Sequence, residues 1–152
     1  MAFFKELFGK RSFRIDFIAI LFFLVVQFIL GMTLNLFVPF PTIPAGSADQ
    51  AYFNAIFSTP YLLAHFIVGF GLLLGSIWIL IGAVRNKSKT IIAIAGIGFL
   101  SILSAYTSGY EFLLSGFQSN LFSFTMSMGF MAALVCYFAL FLLADKAIKK
   151  SN

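Results

Sequence analysis

The sequence predicts an all-α fold, a four-transmembrane-helix bundle with both termini cytoplasmic. Three observations predict it: an apolar composition, four long apolar runs, and cations gathered into three clusters. Of 152 residues, 61% are hydrophobic, 10% are charged and 22 are phenylalanine. A water-soluble globule of this size cannot hide that much apolar surface, so the expected solvent is lipid. The runs cover about residues 15–38, 60–84, 90–108 and 121–144. A helix rising ~1.5 Å per residue needs roughly 20 residues to cross ~30 Å of hydrocarbon, and each run is at or near that length. Barrel strands alternate apolar with polar, whereas these runs are apolar on both parities.

Each element has its own justification. Residues 1–14 read as a basic amphipathic stub, with Phe3, Phe4, Leu7 and Phe8 on one face and Lys5 and Glu6 on the other, a pattern that suits the inner membrane surface. The first span ends near Val38, because Pro39, Pro41 and Pro44 lack backbone donors and "AGSADQ" follows as a polar turn-forming stretch. A basic start before an apolar run, with "GSA" at 46–48, also fits a cleaved secretory signal. The run from Ile15 to Val38 exceeds the roughly 7–15 residues of a signal core, so it reads as a retained anchor. Ser58 or Thr59 is the expected cap of the second helix, with Pro60 in its first turn. Only "RNKSK" separates the second helix from the third, which makes them antiparallel neighbours. Ser119 or Asn120 is the expected cap of the fourth, and residues 145–152 form a basic tail.

Charge orients the bundle. The ten cations are Lys5, Lys10, Arg11 and Arg14, then Arg85, Lys87 and Lys89, then Lys146, Lys149 and Lys150. Four crossings put all three groups on one side, which the positive-inside rule identifies as the cytoplasm. The opposite loops carry only Asp49 and Glu111. The expectation is a multi-pass protein of the cell membrane whose formal charge of +5 reports orientation, not nucleic-acid binding. The "NKS" sequon at 86–88 falls on the cytoplasmic side and carries no glycan. The partners expected are the lipid bilayer and either a homodimer or a larger membrane complex, because four helices enclose little volume.

Most of the functional signal is one imidazole. His65 is the only histidine and lies in "YLLAHFIVGFG", five residues past Pro60. At ~1.5 Å per residue that is roughly 7–8 Å below the start of its helix, in the outer leaflet. Lipid cannot bond its ring nitrogens, so the ring is expected to face the bundle. At comparable depth the topology sets Thr33 and Asn35, then Ser101, Ser104 and Ser108 in a stripe beside Tyr106 and Thr107, then Ser123, Thr125, Met126, Ser127 and Met128. Polar groups thus gather in the outer half, while Asp16, Gln27 and Ser76 are the exceptions deeper in. This resembles a pocket open outward more than a pore.

Three readings of that pocket stand open. In the first, which the frequent use of polar groups in membrane packing favours, a polar cluster around His65, bonded to Asn35 or to a backbone carbonyl, locks the bundle of a structural or accessory subunit. In the second, Asn35, His65, Ser101, Ser104, Ser108 and Glu111 hold a small polar ligand or relay a proton in a carrier. In the third, the protein is a haem b electron carrier in which His65 and Met126 or Met128 ligate the iron. Enzyme chemistry has little to work with. Nucleophilic or metal-assisted hydrolysis would have to run on one histidine, one cysteine and Glu111, and nothing in the spacing supports a Ser104–His65 dyad. Lone Cys136 excludes an intrachain disulfide and reads as an apolar filler.

Glycines punctuate the spans. "GLLLG" at 71–75 is a GxxxG match that reads as close helix packing ahead of a dimer code, and "GIG" at 96–98 reads as helix contact. Aligning Gly69 with Gly129 lays "HFIVG" over "TMSMG", which sets Thr125 where a second histidine would stand. The segments "ILGMTLNLFV" (29–38), "LLAHFIVGFGLLLG" (62–75) and "SGYEFLLSG" (108–116) resemble a group of small four-helix prokaryotic integral membrane proteins of unassigned activity. The resemblance covers most of the chain from Ile15 onward. It implies a shared fold, draws the eye to Asn35, His65, Gly69, Ser108, Gly109 and Phe112, and brings no reaction with it.

Overall fold

The computed structural model describes residues 10–40, 43 and 49–149. The expected amphipathic face at residues 3–8, the "GSA" stretch and the last three residues lie outside the described residues. Among the described residues five helices follow in order: α1 (Lys10–Phe37), α2 (Asp49–Ser58), α3 (Pro60–Asn86), α4 (Lys89–Leu114) and α5 (Asn120–Lys149). Four of them contain stretches long and apolar enough to cross a membrane: Ile15–Phe37, Pro60–Arg85, Lys89–Leu114 and Asn120–Ala144. The helices reach beyond the apolar runs. α1 begins at Lys10 and α5 runs on to Lys149, so charged residues at both ends continue the helical hydrogen bonding.

Each long helix packs on two others: α1 on α3 and α5, and α4 on α3 and α5. Antiparallel pairing follows from residue contacts. Gly31 and Gln27 of α1 meet His65 and Gly69 of α3, and Gly98 and Gly109 of α4 meet Tyr137 and Met126 of α5. The start of α1, the α3–α4 turn and the end of α5 therefore share one end of the molecule, and that end carries the lysines and arginines of the described residues. Inside, Phe17 and Leu24 of α1, Leu72 and Ile79 of α3, Ile102 of α4 and Leu140 of α5 form a buried apolar centre. Outward faces stay apolar, with Phe22 61%, Leu100 60% and Val135 63% exposed.

The segment after α1 departs from expectation. The sequence marks a polar turn at "AGSADQ" (45–50) and assigns no element to 51–57; helix α2 begins on the last two residues of that turn and fills the stretch after it. Tyr52, Ala55 and Ile56 share one face of α2 at spacings of three and four, and all are buried with Ile43 and Leu113 against the ends of α3 and α4. A ten-residue helix is marginal alone, so this packing is what holds it. The Tyr52 hydroxyl donates to the Leu114 carbonyl at 3.2 Å, supplying a partner to one of the carbonyls that the end of α4 leaves open.

Helix α4 continues six residues past the expected end at 108. Its true stop is a Schellman turn: Gly116 N–H donates to Leu113 O and Phe117 N–H to Phe112 O, each at 3.0 Å. Gly116 takes φ 68°, the left-handed value for which glycine has no steric cost. The Phe112 and Phe117 rings meet edge to face at 5.7 Å, and Phe40, arriving from α1, stacks on Phe117 at 4.7 Å. At the start of α3, Thr59 occupies the cap position with extended backbone and no side-chain cap bond. Its carbonyl accepts from Leu63 N–H at 3.0 Å instead. The Ser58 hydroxyl turns back to Ala55 O within α2.

Candidate functional site between α1 and α3

His65 is half-buried on the face of α3 that meets α1. Its Nε2 lies 3.1 Å from Nε2 of Gln27. Donation from the Gln27 amide makes that ring nitrogen the acceptor and places the imidazole proton on Nδ1. Glycines make the pairing geometrically possible. A methyl on Gly31 would stand 3.2 Å from His65 Cε1, and one on Gly69 would stand 3.0 Å from Gln27 Nε2. Each polar side chain therefore lies over the glycine four residues along from its partner.

That reciprocity is written in the sequence. Residues 27–31 read "QFILG" and residues 65–69 read "HFIVG". On antiparallel helices the two pentapeptides meet about a local two-fold, polar residue against glycine in both directions. The phenylalanine after each polar residue serves the next helix over: Phe28 stacks on Phe130 of α5 at 5.5 Å, and Phe66 meets Tyr106 of α4 at 6.4 Å. The alignment of "HFIVG" with "TMSMG" had pointed elsewhere. Gly129 of that segment is also a close-approach point, but against the backbone of α4.

The pair is incompletely satisfied. Gln27 Oε1 and His65 Nδ1 are buried and have no hydrogen-bond partner among the described residues. Each such group costs about 1–3 kcal/mol in desolvation, at least as much as the ~0.5–1.5 kcal/mol that one hydrogen bond contributes, so the pair fixes register more than it adds stability. Comparison with known proteins finds no matching family model, curated protein or solved structure. Function must therefore be argued from these residues.

Of the expected site residues, His65 is the one the structure pairs across two helices, and its partner is Gln27. Asn35 is exposed, two turns beyond Gln27, so the polar partner on α1 is Gln27 and not Asn35. The Ser101 hydroxyl donates to Ile97 O of its own helix at 2.8 Å. Ser104 and Glu111 are exposed and Ser108 is half-buried. Thr107, Thr125 and Ser127 also donate to carbonyls three or four residues back in their own helices. Hydroxyls bound this way have their proton engaged and keep only acceptor lone pairs free. The Met126 sulfur would lie 3.3 Å from a methyl on Gly109, which seats it on the α4–α5 seam while His65 sits on the α1–α3 seam. Among the described residues no group of three or more His, Cys, Asp or Glu could hold a metal ion.

A second buried polar pair had no clear sequence signal. Tyr137 and Ser76 are each 0% exposed. The Ser76 hydroxyl donates to Leu73 O at 2.6 Å, and the Tyr137 ring from α5 brings its hydroxyl beside it. Among the described residues no hydrogen bond of good geometry reaches the Tyr137 oxygen. Ser76 stands out in the sequence as a deep polar residue, whereas Tyr137 stands among apolar neighbours that give no sign of a polar partner.

The glycine motif behaves opposite to expectation. Methyls on Gly71 and Gly75 would meet nothing within 4 Å among the described residues, so these two glycines mark no close helix approach there. Both residues line an outward groove of about 200 Å³ with Ala19, Phe23, Trp78 and Asp16. Trp78 hydrogen-bonds the Asp16 carboxylate at one end of it. Close packing occurs instead on α4–α5, where a methyl on Gly129 would stand 2.7 Å from Ser101 O and one on Gly98 would stand 3.0 Å from Tyr137 Cζ. In the "GIG" segment only Gly98 makes such a contact; Gly96 faces open space.

Proposed function

We propose that this chain is a four-span integral protein of the cell membrane, with its amino and carboxyl ends in the cytoplasm. It acts as a structural or accessory subunit and not as an enzyme. Its buried Gln27–His65 pair locks α1 to α3 in one register, and the lipid bilayer is its first partner. Kinship with the small four-helix prokaryotic membrane proteins it resembles is part of the same proposal. Four apolar helices and the gathering of cations at one end support the membrane reading. The observation that carries the structural reading is the reciprocal seating of Gln27 over Gly69 and His65 over Gly31. Side chains held so closely across two helices serve registry, and the hydroxyls of Ser101, Thr107, Thr125 and Ser127 donate within their own helices.

A double-mutant cycle tests this. Gln27→Leu, His65→Leu and the double variant, unfolded from micelles, should show a favourable coupling of about 0.6 kcal/mol, with ~1.7 kcal/mol as a ceiling for such membrane pairs. Coupling indistinguishable from zero would remove the lock. A Soret band in the purified protein that His65→Leu abolishes would replace this reading with haem binding.

A further inference from the structure

Helix α2 has three sides. At ~100° per residue, Tyr52, Ala55 and Ile56 fall on one arc, Phe53 and Phe57 on a second ~40° wide, and Gln50 and Asn54 on a third beside it. The first arc is buried on α3 and α4. The second is open, with Phe53 55% and Phe57 68% exposed. On the third, Gln50 Nε2 donates to Asn54 Oδ1 at 3.2 Å, so these amides partly satisfy each other.

This arrangement fits neither a water-covered loop helix nor a fourth packing face. Two exposed phenylalanines at i and i+4 have no use for water, and the exposed rings around them extend the same band. Phe37 at the end of α1, Tyr61 at the start of α3, Tyr110 near the end of α4 and Phe124 near the start of α5 are all exposed at this end of the molecule. Aromatic residues gathered at span ends mark the level of the lipid headgroups. We propose that α2 is an interfacial helix whose Phe53–Phe57 face is seated in the headgroup–acyl boundary of the outer leaflet. The inference rests on the four-span reading above. Its partner is the lipid surface itself, held by apolar and aromatic contact. No lysine or arginine lies between Arg14 and Arg85, so α2 offers nothing to select anionic headgroups. The Gln50–Asn54 side faces water. Seated in this way, α2 holds Tyr52 on the end of α4 and covers that end of the buried centre.

Trp78 is the only tryptophan, which makes a single-probe experiment direct. In a Trp78→Phe background, Phe57→Trp, Phe53→Trp and Asn54→Trp are each reconstituted in phosphatidylcholine vesicles. Expected for the first two are blue-shifted emission, strong quenching by lipids brominated near the headgroup, weaker quenching by lipids brominated at the chain ends, and protection from aqueous acrylamide. Asn54→Trp should stay open to acrylamide. Adding phosphatidylglycerol should change none of this. Red-shifted, acrylamide-accessible emission from Trp at 53 and 57 overturns the proposal. So does emission indifferent to brominated lipid but dependent on protein density, because a second copy would then be the occupant. The unaltered protein reports on the underlying reading separately: Trp78, on the exposed side of α3, is quenched by brominated lipid if the helices span, whatever α2 does.

Discussion

Gly129 and Gly71 sit in the middle of long helices and differ in what surrounds them, so the same substitution at both isolates a contact. A methyl on Gly129 would stand 2.7 Å from the Ser101 carbonyl oxygen and 3.1 Å from both N and Cβ of Ala105. Comfortable separation is ~3.5 Å or more, so α4 and α5 must part by several tenths of an ångström to about 1 Å. The obstacle is backbone, which no rotamer change can move aside. Overpacking of this kind costs typically ~1–3 kcal/mol. A methyl on Gly71 meets nothing within 4 Å. Both variants share the gain of alanine over glycine in a helix, about 0.8–1.0 kcal/mol, so it cancels in their difference. Gly129→Ala should therefore unfold ~1–3 kcal/mol more easily than Gly71→Ala, read as a lower midpoint when detergent micelles are titrated with dodecyl sulfate. Coincident midpoints would refute the close α4–α5 approach. A Gly71→Ala protein less stable than wild type would show instead that the open groove is filled, by a second copy or by an ordered lipid.

Two further outcomes follow from the fold. Tyr52→Phe removes the hydroxyl that reaches Leu114 O while leaving the ring in place; a loss of about 0.5–1.5 kcal/mol is expected, with faster amide exchange confined to α2 and the last turn of α4. In a Cys136→Ala background, Asn54→Cys should react with an impermeant maleimide in intact cells and Lys87→Cys only after permeabilisation, since α3 separates the two; labelling of both from one side would end the four-span reading.

The spans were legible because nothing competes with a run of twenty apolar residues: lipid is the only solvent that suits it. The shorter features were not, for different reasons. α2 is ten residues long and follows three prolines, so its i, i+3 and i+4 face at Tyr52, Ala55 and Ile56 was masked by the polar turn before it. α4 runs past the apolar stretch that ends near Ser108, and the left-handed backbone that stops it falls at Gly116 and Phe117. His65 was recognised but given Asn35 as its companion, because depth was counted from the ends of the apolar runs. Gln27 lies ten residues before the end of α1, while His65 lies five after the start of α3, a mismatch of roughly 7 Å in rise. α1 simply extends further, and only the contact reveals it. The signal that could have found the pair was the near-identity of "QFILG" and "HFIVG", which appears only when antiparallel helices are compared.

Because α1 lies against α5 as well as α3, the helices close on themselves, and the first turn of α1 and the last turn of α5 lie at the same end of the molecule. Chain order is then a circle with one arbitrary cut. A permuted polypeptide, joined from the end of α5 to the start of α1 and reopened in the short turn at Lys87 and Ser88, would keep every interhelical contact, with its new ends on the same face as the old.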